Sequence, residues 1–141
     1  MNQVHKWTGE LFMGNSQADA RAGMGTTRIP VELEAFFQIA ERWELTTDDQ
    51  IRLLGSPGRS TFFKWKKEGG TLPNDTTERL SHILAIWKAL RILFTVDERG
   101  DAWMQKPNEF FDGQSALAIM LRGGVADIYR VRQYLDAQRG G

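Results

Sequence analysis

One stretch decides how this chain folds: residues 53–67, which read Leu53-Leu54-Gly55-Ser56-Pro57-Gly58-Arg59-Ser60-Thr61-Phe62-Phe63-Lys64-Trp65-Lys66-Lys67. An apolar helix end runs into a turn dense in glycine and proline, and a short basic helix follows. Gly55 is suited to end the first helix, because a residue without Cβ adopts a left-handed conformation at little cost. The stretch therefore predicts two helices joined by a tight turn.

The second of these helices predicts a nucleic-acid contact, because it carries four cations and no acid between residues 59 and 67. Phe62 and Trp65 lie three residues apart and share one face, which we expect to pack on a core rather than to stack on bases. The outward face suits a helix-turn-helix, whose second helix enters a major groove. A merely solvated face is the plain alternative. The residues that we predict to contact DNA are Arg59, Ser60, Thr61, Lys64 and Lys67.

Charge is distributed unevenly although the formal net charge is zero. Residues 31–50 contain six acids against Arg42 alone, whereas residues 51–70 contain five cations against Glu68 alone. Any affinity for nucleic acid must then come from a local patch and not from the charge of the whole molecule. The basic block is the candidate for phosphate contact.

Composition limits the class of protein. A length of 141 residues fits one domain or two small ones that share a core. No apolar window is long enough to span a bilayer, and no signal peptide is recognisable. The absence of cysteine excludes disulfides and thiolate metal sites and suits a cytoplasmic protein. We therefore expect a cytoplasmic protein that does not contact membranes.

Apolar periodicity predicts helices throughout and gives an all-α fold class. The first helix is expected at about Val31–Trp43, and Thr46 or Thr47 should cap the second. A longer helix should begin at residues 73–75, capped by Asn74 or Asp75, and run to about Phe94. Its apolar surface covers more than half its circumference, which is typical of a helix buried between layers or at a subunit interface. We therefore expect it to connect the two halves and to contribute to a homodimer.

The C-terminal half is predicted from weaker signals. Residues 96–101 look like a polar turn, and helical or extended structure should restart at residue 102. Phe110 and Phe111 are both expected to be core anchors. Ser115 should cap a short helix to Leu121, and a last helix is expected from Val125 to residue 137.

Features that could carry chemistry are sparse. His5 and His82 are single and lack cysteine neighbours, whereas a metal site needs several converging ligands. Glu109 and Asp112 lack a partner histidine, so surface carboxylates are the better interpretation. Residues 123–124 are not a phosphate loop, since no strand precedes them and no Gly-Lys-Ser/Thr follows. We predict no catalytic residue, no metal, no cofactor and no enzymatic activity.

A set of residues in the C-terminal half, combined with the basic stretch, resembles a known family. The set comprises Trp103, Pro107-Asn108, Phe111, Gly113, Ser115, Leu117, Leu121, Gly124, Val131 and Tyr134-Leu135. With Leu54-Gly55-Ser56, Thr61 and Lys64-Trp65-Lys66, this spacing is similar to that of antitoxins of the Xre/MbcA/ParS group. The likeness covers about residues 31–139. The chain departs from it at Ala116, where proline is usual, and at Pro57-Gly58, where a more helical pair is usual.

The resemblance implies an Xre-like helix-turn-helix domain followed by a small helical toxin-binding domain. It further implies a type II antitoxin that blocks a cognate toxin and represses its own operon. The group is commonly paired with RES-domain toxins, which resemble ADP-ribosyltransferases and destroy NAD. In relatives the C-terminal end lies against the toxin's active-site cleft, which would make Arg139 a charged plug. The residues implied to contact the toxin are Arg122, Arg130, Tyr134, Arg139, Gly140 and Gly141.

The corresponding division of the chain has four parts. Residues 1–28 are expected to be a flexible N-terminal arm, 29–72 the helix-turn-helix domain, 73–95 the connecting and dimerisation helix, and 96–141 the toxin-binding domain. Besides an antitoxin, a plain helix-turn-helix transcriptional regulator without a toxin partner fits the sequence, and a small enzyme fits it worst. The first two differ in whether the neighbouring reading frame is toxic alone and tolerated with this chain.

Overall fold

Helices account for the fold of residues 29–140, the part of the chain that the computed structural model describes. They are α1 Val31–Arg42, α2 Thr47–Leu53, α3 Arg59–Glu68, α4 Asn74–Leu93, α5 Asp97–Trp103, α6 Ala116–Met120 and α7 Val125–Gln138, with a 3-10 turn at Glu109–Phe111. Within this range the only extended pairing is one isolated bridge between Pro107 and Ser115. The all-α prediction is confirmed. The expected arm at 1–28 and the terminal Gly141 lie outside the described residues.

The helix-turn-helix half forms as its capping residues and apolar spacing predict. α1 buries Leu33, Phe36 and Ile39 completely. Thr46 begins α2 with a capping box, in which the Asp49 N–H donates to Thr46 Oγ1 at 3.0 Å and the Thr46 N–H donates to Asp49 Oδ2 at 3.4 Å. The first N–H groups of a helix have no partner within the helix, so these two hydrogen bonds stabilise the start of α2.

The turn between α2 and α3 depends on backbone conformations that few residues adopt. Gly55 has φ +98°, and a Cβ placed there would lie 2.7 Å from Asp75 Oδ2. Ser56 follows with φ +60°. Thr76, buried on α4, donates its hydroxyl to the Leu54 carbonyl at 2.8 Å. The first turn of α4 therefore packs against this turn and hydrogen-bonds to it.

α4 is the central helix and packs on α1, α5 and α7. It contributes to a single core that both halves of the chain share, through buried residues that include Leu80, Ile83, Ile86, Trp87 and Leu90. It thus contacts helices of both halves of the chain, and its role as the connection between them stays a prediction. Most of its apolar surface is buried within the chain, whereas Ile92 near its end is 61% exposed.

The predicted cap of α4 is wrong. Pro73 occupies the N-cap position, and no side chain accepts a hydrogen bond there. Asp75 instead accepts a hydrogen bond from Arg79 Nε at 2.8 Å, one turn along the same helix. The Asp75 side chain is therefore used by a tertiary contact and not by a cap, because the Asp75–Arg79 pair lies against Gly55 of the turn.

Two expectations for the C-terminal half are also wrong. Residues 96–101 are not a polar turn, since α5 begins at Asp97 and buries Asp101 against arginines of other helices. Phe110 is 56% exposed, and Phe111 alone of this pair is a core anchor. Consecutive residues of a helical turn point in different directions, so the two adjacent rings do not both face one core.

The remaining C-terminal elements follow the sequence. Ser115 caps α6 by accepting the Ala118 N–H at 3.0 Å. α7 buries Ile128, Val131 and Leu135 against α4 and α6. None of the helices between residues 29 and 140 has the length and apolarity needed to cross a bilayer.

Candidate functional site

The first candidate surface is the outer face of α3. Phe62 is 1% exposed and Trp65 is 6% exposed, and Phe62 packs edge-on against Phe37 of α1 at 5.8 Å. At about 100° per residue, Ser60, Lys64 and Lys67 point away from this buried side. All three are exposed. These three predicted DNA contacts therefore share one solvent-facing surface.

The other two predicted contacts lie at the edges of that surface. Arg59 and Thr61 are exposed. Arg59 Nη1 pairs with Asp48 of α2 at 2.8 Å, and both side chains are mostly solvated, so the pair contributes little stability. Lys66, which was not among the predicted contacts, places its ammonium 5.7 Å from the ring centre of Phe37 and so leans toward α1.

Sequence analysis missed Phe63. This ring is 46% exposed and lies on the same outward face as Lys67, one turn further along α3. The spacing from Arg59 through Phe63 to Lys67 could have placed it there. Phe63 was not predicted to be exposed because aromatic residues of a short helix are usually assigned to the core.

The second candidate surface is an aromatic cluster in the C-terminal half. Tyr134 of α7 stacks on Trp103 at 5.9 Å with an interplanar angle of 8°, and it lies 4.6 Å from Phe110 and 5.3 Å from Phe111. Arg130 places its guanidinium 5.4 Å from the centre of the Phe111 ring. Two of the predicted toxin contacts, Arg130 and Tyr134, therefore belong to one surface that lies over the buried Phe111. We call it the aromatic face: Trp103, Phe110, Arg130 and Tyr134.

A shallow cleft of about 240 Å³ opens beside the aromatic face. The residues that line it are Leu93, Phe94, Trp103, Tyr134, Leu135 and Gln138. Apolar clefts next to exposed aromatic rings are typical of surfaces that bind another protein.

Arg139 lies on the opposite side of α7. Its guanidinium is 3.7 Å from Asp136, which is also 3.7 Å from Arg132. With Gly140 these residues line a groove of about 740 Å³ that reaches Glu32 at the start of α1 and Lys88 of α4. The structure thus separates Arg139 and Gly140 from Arg130 and Tyr134.

Arg122 occupies a third location. It is exposed in the loop between α6 and α7, and the following Gly123 lies against Arg52 of α2. Gly141 falls outside the described residues. Among the described residues the predicted toxin contacts therefore do not form one patch, because Tyr134 and Arg139 are five positions apart and point to opposite sides of α7, and Arg122 lies outside that helix.

A polar network links α1 and α4 to α5 and the residues after it. Asp101 of α5 accepts hydrogen bonds from Arg42 of α1 and from Arg91 of α4. Gln105 donates to the Trp43 carbonyl at 2.9 Å. α1 is thereby attached directly to the segment that carries the aromatic face.

His82 contributes to packing between helices. Its ring nitrogens lie 3.4 Å from Glu78 Oε2 and 3.0 Å from Arg132 Nη1 of α7. Across residues 29–140 no group of three or more histidine, aspartate and glutamate side chains is arranged to hold a metal ion.

Comparison with known proteins divides the chain into two matched regions. Residues 22–85 match the family model of the antitoxin Xre-like helix-turn-helix domain, and residues 89–141 match that of the antitoxin Xre/MbcA/ParS C-terminal toxin-binding domain. A protein of Sinorhizobium fredii (strain NBRC 101917 / NGR234), named "Uncharacterized protein y4oB", is 76% identical over 116 residues, which are 82% of this chain and 90% of that relative. No solved structure matches the chain.

The two matches lie on either side of the middle of α4, so that each candidate surface falls within one of them. A helix-turn-helix domain and a toxin-binding domain imply DNA and a toxin as partners. The chain belongs to the Xre/MbcA/ParS family of antitoxins, with an Xre-like helix-turn-helix domain followed by a toxin-binding domain.

Proposed function

We propose that this protein is the antitoxin of a type II toxin–antitoxin system that neutralises its toxin by covering the active site and binds its own operon DNA to repress it. One observation carries the proposal: the basic face of α3 and the toxin-binding domain are built on a single core with α4 at its centre. Binding to either partner is therefore made by one rigid unit.

The DNA contacts are proposed at Arg59, Ser60, Thr61, Lys64 and Lys67. Their support is that all five side chains are exposed while Phe62 and Trp65 fix the helix to the core. A chain of zero net charge has no general attraction for polyanions, so this local cluster supplies the attraction to phosphate.

Toxin binding is proposed to use two surfaces with different tasks. The aromatic face supplies affinity, since partly exposed aromatic rings beside an arginine have the composition of interface hot spots. Residues 139–141 supply the block, because Arg139 is exposed and can pair with carboxylates of a cleft. Arg122 lies apart from both surfaces, in the loop before α7, and is proposed to make a peripheral contact.

The partner is proposed to be a RES-domain toxin that degrades NAD, which rests on the pairing usual in this family. The units are proposed to be 29–72, 73–95 and 96–141, with α4 as the part that both functions share. A homodimer is proposed as well, and its support is the exposure of Ile92 (61%) and Val96 (43%) near the end of α4. The proposal assigns the chain no catalytic step.

Co-expression tests the proposal. The neighbouring reading frame is placed under an inducible promoter and expressed alone or with the full chain, while growth and total cellular NAD are measured. We expect growth arrest and loss of NAD with the neighbour alone, and restoration of both with this chain.

The two readouts distinguish the parts of the proposal. Growth arrest without loss of NAD, relieved by this chain, would keep the antitoxin and reject the RES-type partner. A neighbour that is harmless alone would reject the antitoxin and favour a helix-turn-helix regulator without a toxin partner.

A further inference from the structure

Phe63 leaves an apolar surface in the middle of the otherwise polar outer face of α3. Phe62 and Trp65 of the same helix are 1% and 6% exposed, whereas Phe63 is 46% exposed. Ser60, three positions before it, and Lys67, four positions after it, lie beside it on the same face. Packing of the core does not account for this ring.

The ring is held in place from one side. The ring centres of Phe62 and Phe63 are 5.2 Å apart at an interplanar angle of 77°. The Arg59 guanidinium lies 5.7 Å from the Phe63 ring centre. Both contacts restrict the side chain while part of its surface stays open to solvent. An apolar group that is already ordered loses little conformational entropy when it binds a ligand.

The chemistry around the ring indicates what it contacts. Cations one turn before and one turn after Phe63, Arg59 and Lys67, suit the phosphates that border a major groove, and the residue between them then faces the base edges. The apolar group that base pairs present in that groove is the C5 methyl of thymine, and phenylalanine is one of the side chains that contact it. A second copy of the chain docked through the same face is a poor occupant, since it would bring Lys64 and Lys67 against like charges.

We propose that Phe63 is a specificity-determining residue that packs on thymine methyl groups in the major groove. The inference rests on the proposed DNA binding and adds a base preference to it. Cations at the edge set affinity for any duplex, whereas Phe63 favours duplexes with thymine at the positions beneath it.

A pair of duplexes of identical sequence isolates the methyl group. The region upstream of the protein's own gene is amplified with either dTTP or dUTP, so that the two products differ only in the C5 methyl. The full chain should bind the thymine duplex more tightly, by about fourfold for each methyl group in contact. Phe63→Ala should bind both duplexes equally, with far-ultraviolet circular dichroism confirming that its helices are intact.

Lys67→Ala is the matched control on the same face. A phosphate contact does not sense the methyl group, so this variant should weaken binding to both duplexes by the same factor and keep the thymine preference. The preference itself is measured as the ratio of the two dissociation constants at one salt concentration.

Each other outcome overturns a defined statement. Equal binding of both duplexes by the wild type would remove the role of Phe63 and leave the DNA binding in place. A thymine preference that survives in Phe63→Ala would assign the preference to duplex shape and overturn the inference. Absence of binding to either duplex at low salt would reject the proposed DNA binding as well.

Discussion

Arg42 of α1 donates two hydrogen bonds, at 3.0 and 2.8 Å, to a single carboxylate oxygen of Asp101 on α5. The other oxygen of Asp101 accepts a hydrogen bond from Arg91 Nη2 of α4 at 2.9 Å. The side chains of Asp101 and Arg91 are only 9% and 6% exposed, whereas that of Arg42 is 31% exposed. One buried carboxylate therefore connects the helix-turn-helix half, the central helix and the toxin-binding half.

Asp101→Asn should destabilise the protein strongly. The amide keeps the shape of the side chain but leaves the buried Arg91 without its main counter-charge. We expect a loss of about 3 kcal/mol in the free energy of unfolding, the lower end for breaking a buried pair, because Asp97 still lies 3.8 Å from Arg91. Urea denaturation followed by circular dichroism measures this change.

Glu98→Gln is the control for that substitution. Glu98 lies on the same helix as Asp101, and the two residues line one cleft together with Arg42. Unlike Asp101, Glu98 is exposed. Neutralising it should change stability by no more than about 0.5 kcal/mol. Equal losses for the two variants would show that the buried network contributes nothing beyond surface charge.

Thr76→Val should weaken the turn before α3. The substitution keeps the volume of a side chain that is 3% exposed, but it removes the donor to the Leu54 carbonyl. Leaving a buried acceptor unpaired costs about 1–3 kcal/mol, and we expect the midpoint of urea unfolding to fall accordingly. Thr77→Val, at an exposed neighbouring position, should leave the midpoint nearly unchanged, and a comparable fall there would point to helix propensity instead.

Local patterns were sufficient for most of the fold. Apolar spacing predicted α1 and α7 within one or two residues, and Thr46 and Ser115 cap the helices for which they were proposed. These features depend on side chains within four positions of one another, and a sequence displays such relationships directly.

The errors share a long-range cause. Residues 96–101 looked like a polar turn because the partners of Asp101 are on α1 and α4 and are invisible locally. Which of Phe110 and Phe111 faces the core depends on where α7 lies. Packing also decides what surrounds Tyr134 and Arg139, since the groove beside Arg139 includes residues of α1 and α4 and the cleft beside Tyr134 includes Trp103 of α5. The toxin contacts at these residues stay a prediction.

Lys64→Glu should abolish binding to operon DNA while the fold survives. The side chain is exposed on α3, so reversing its charge removes a phosphate contact and adds repulsion without disturbing the core. Each phosphate contact adds roughly 0.9 to the wild-type slope of log affinity against log salt. Fluorescence anisotropy over a salt series measures both quantities. Lys106→Glu makes the same charge change at an exposed position of the C-terminal half and should retain binding, whereas an unchanged gel shift for Lys64→Glu would remove α3 from the interface.

Phe110→Ala should weaken toxin binding without much loss of stability. Its ring is 56% exposed but lies 4.6 Å from Tyr134, so truncation removes contact surface from the aromatic face. Aromatic hot spots cost about 2 kcal/mol or more on truncation, which corresponds to a rise of about thirtyfold in the dissociation constant measured by calorimetry. Tyr129→Ala, a 44% exposed ring of α7 that packs on His82 instead, should bind normally. Equal weakening by both variants would argue against a localised aromatic contact.

Deletion of residues 139–141 should separate binding from inhibition. The aromatic face remains intact in the truncated chain, because α7 ends at Gln138 and Arg139 makes its ion pair with Asp136 on the other side of the helix. The toxin should therefore still bind with nearly unchanged affinity, while its activity in the complex recovers and co-expressed cells stop growing. Arg139→Ala, which keeps the length of the tail, should show an intermediate effect if charge and bulk both contribute to the block. Full rescue by the deleted chain would show that the tail does not close the cleft, and would leave the aromatic face to neutralise the toxin alone.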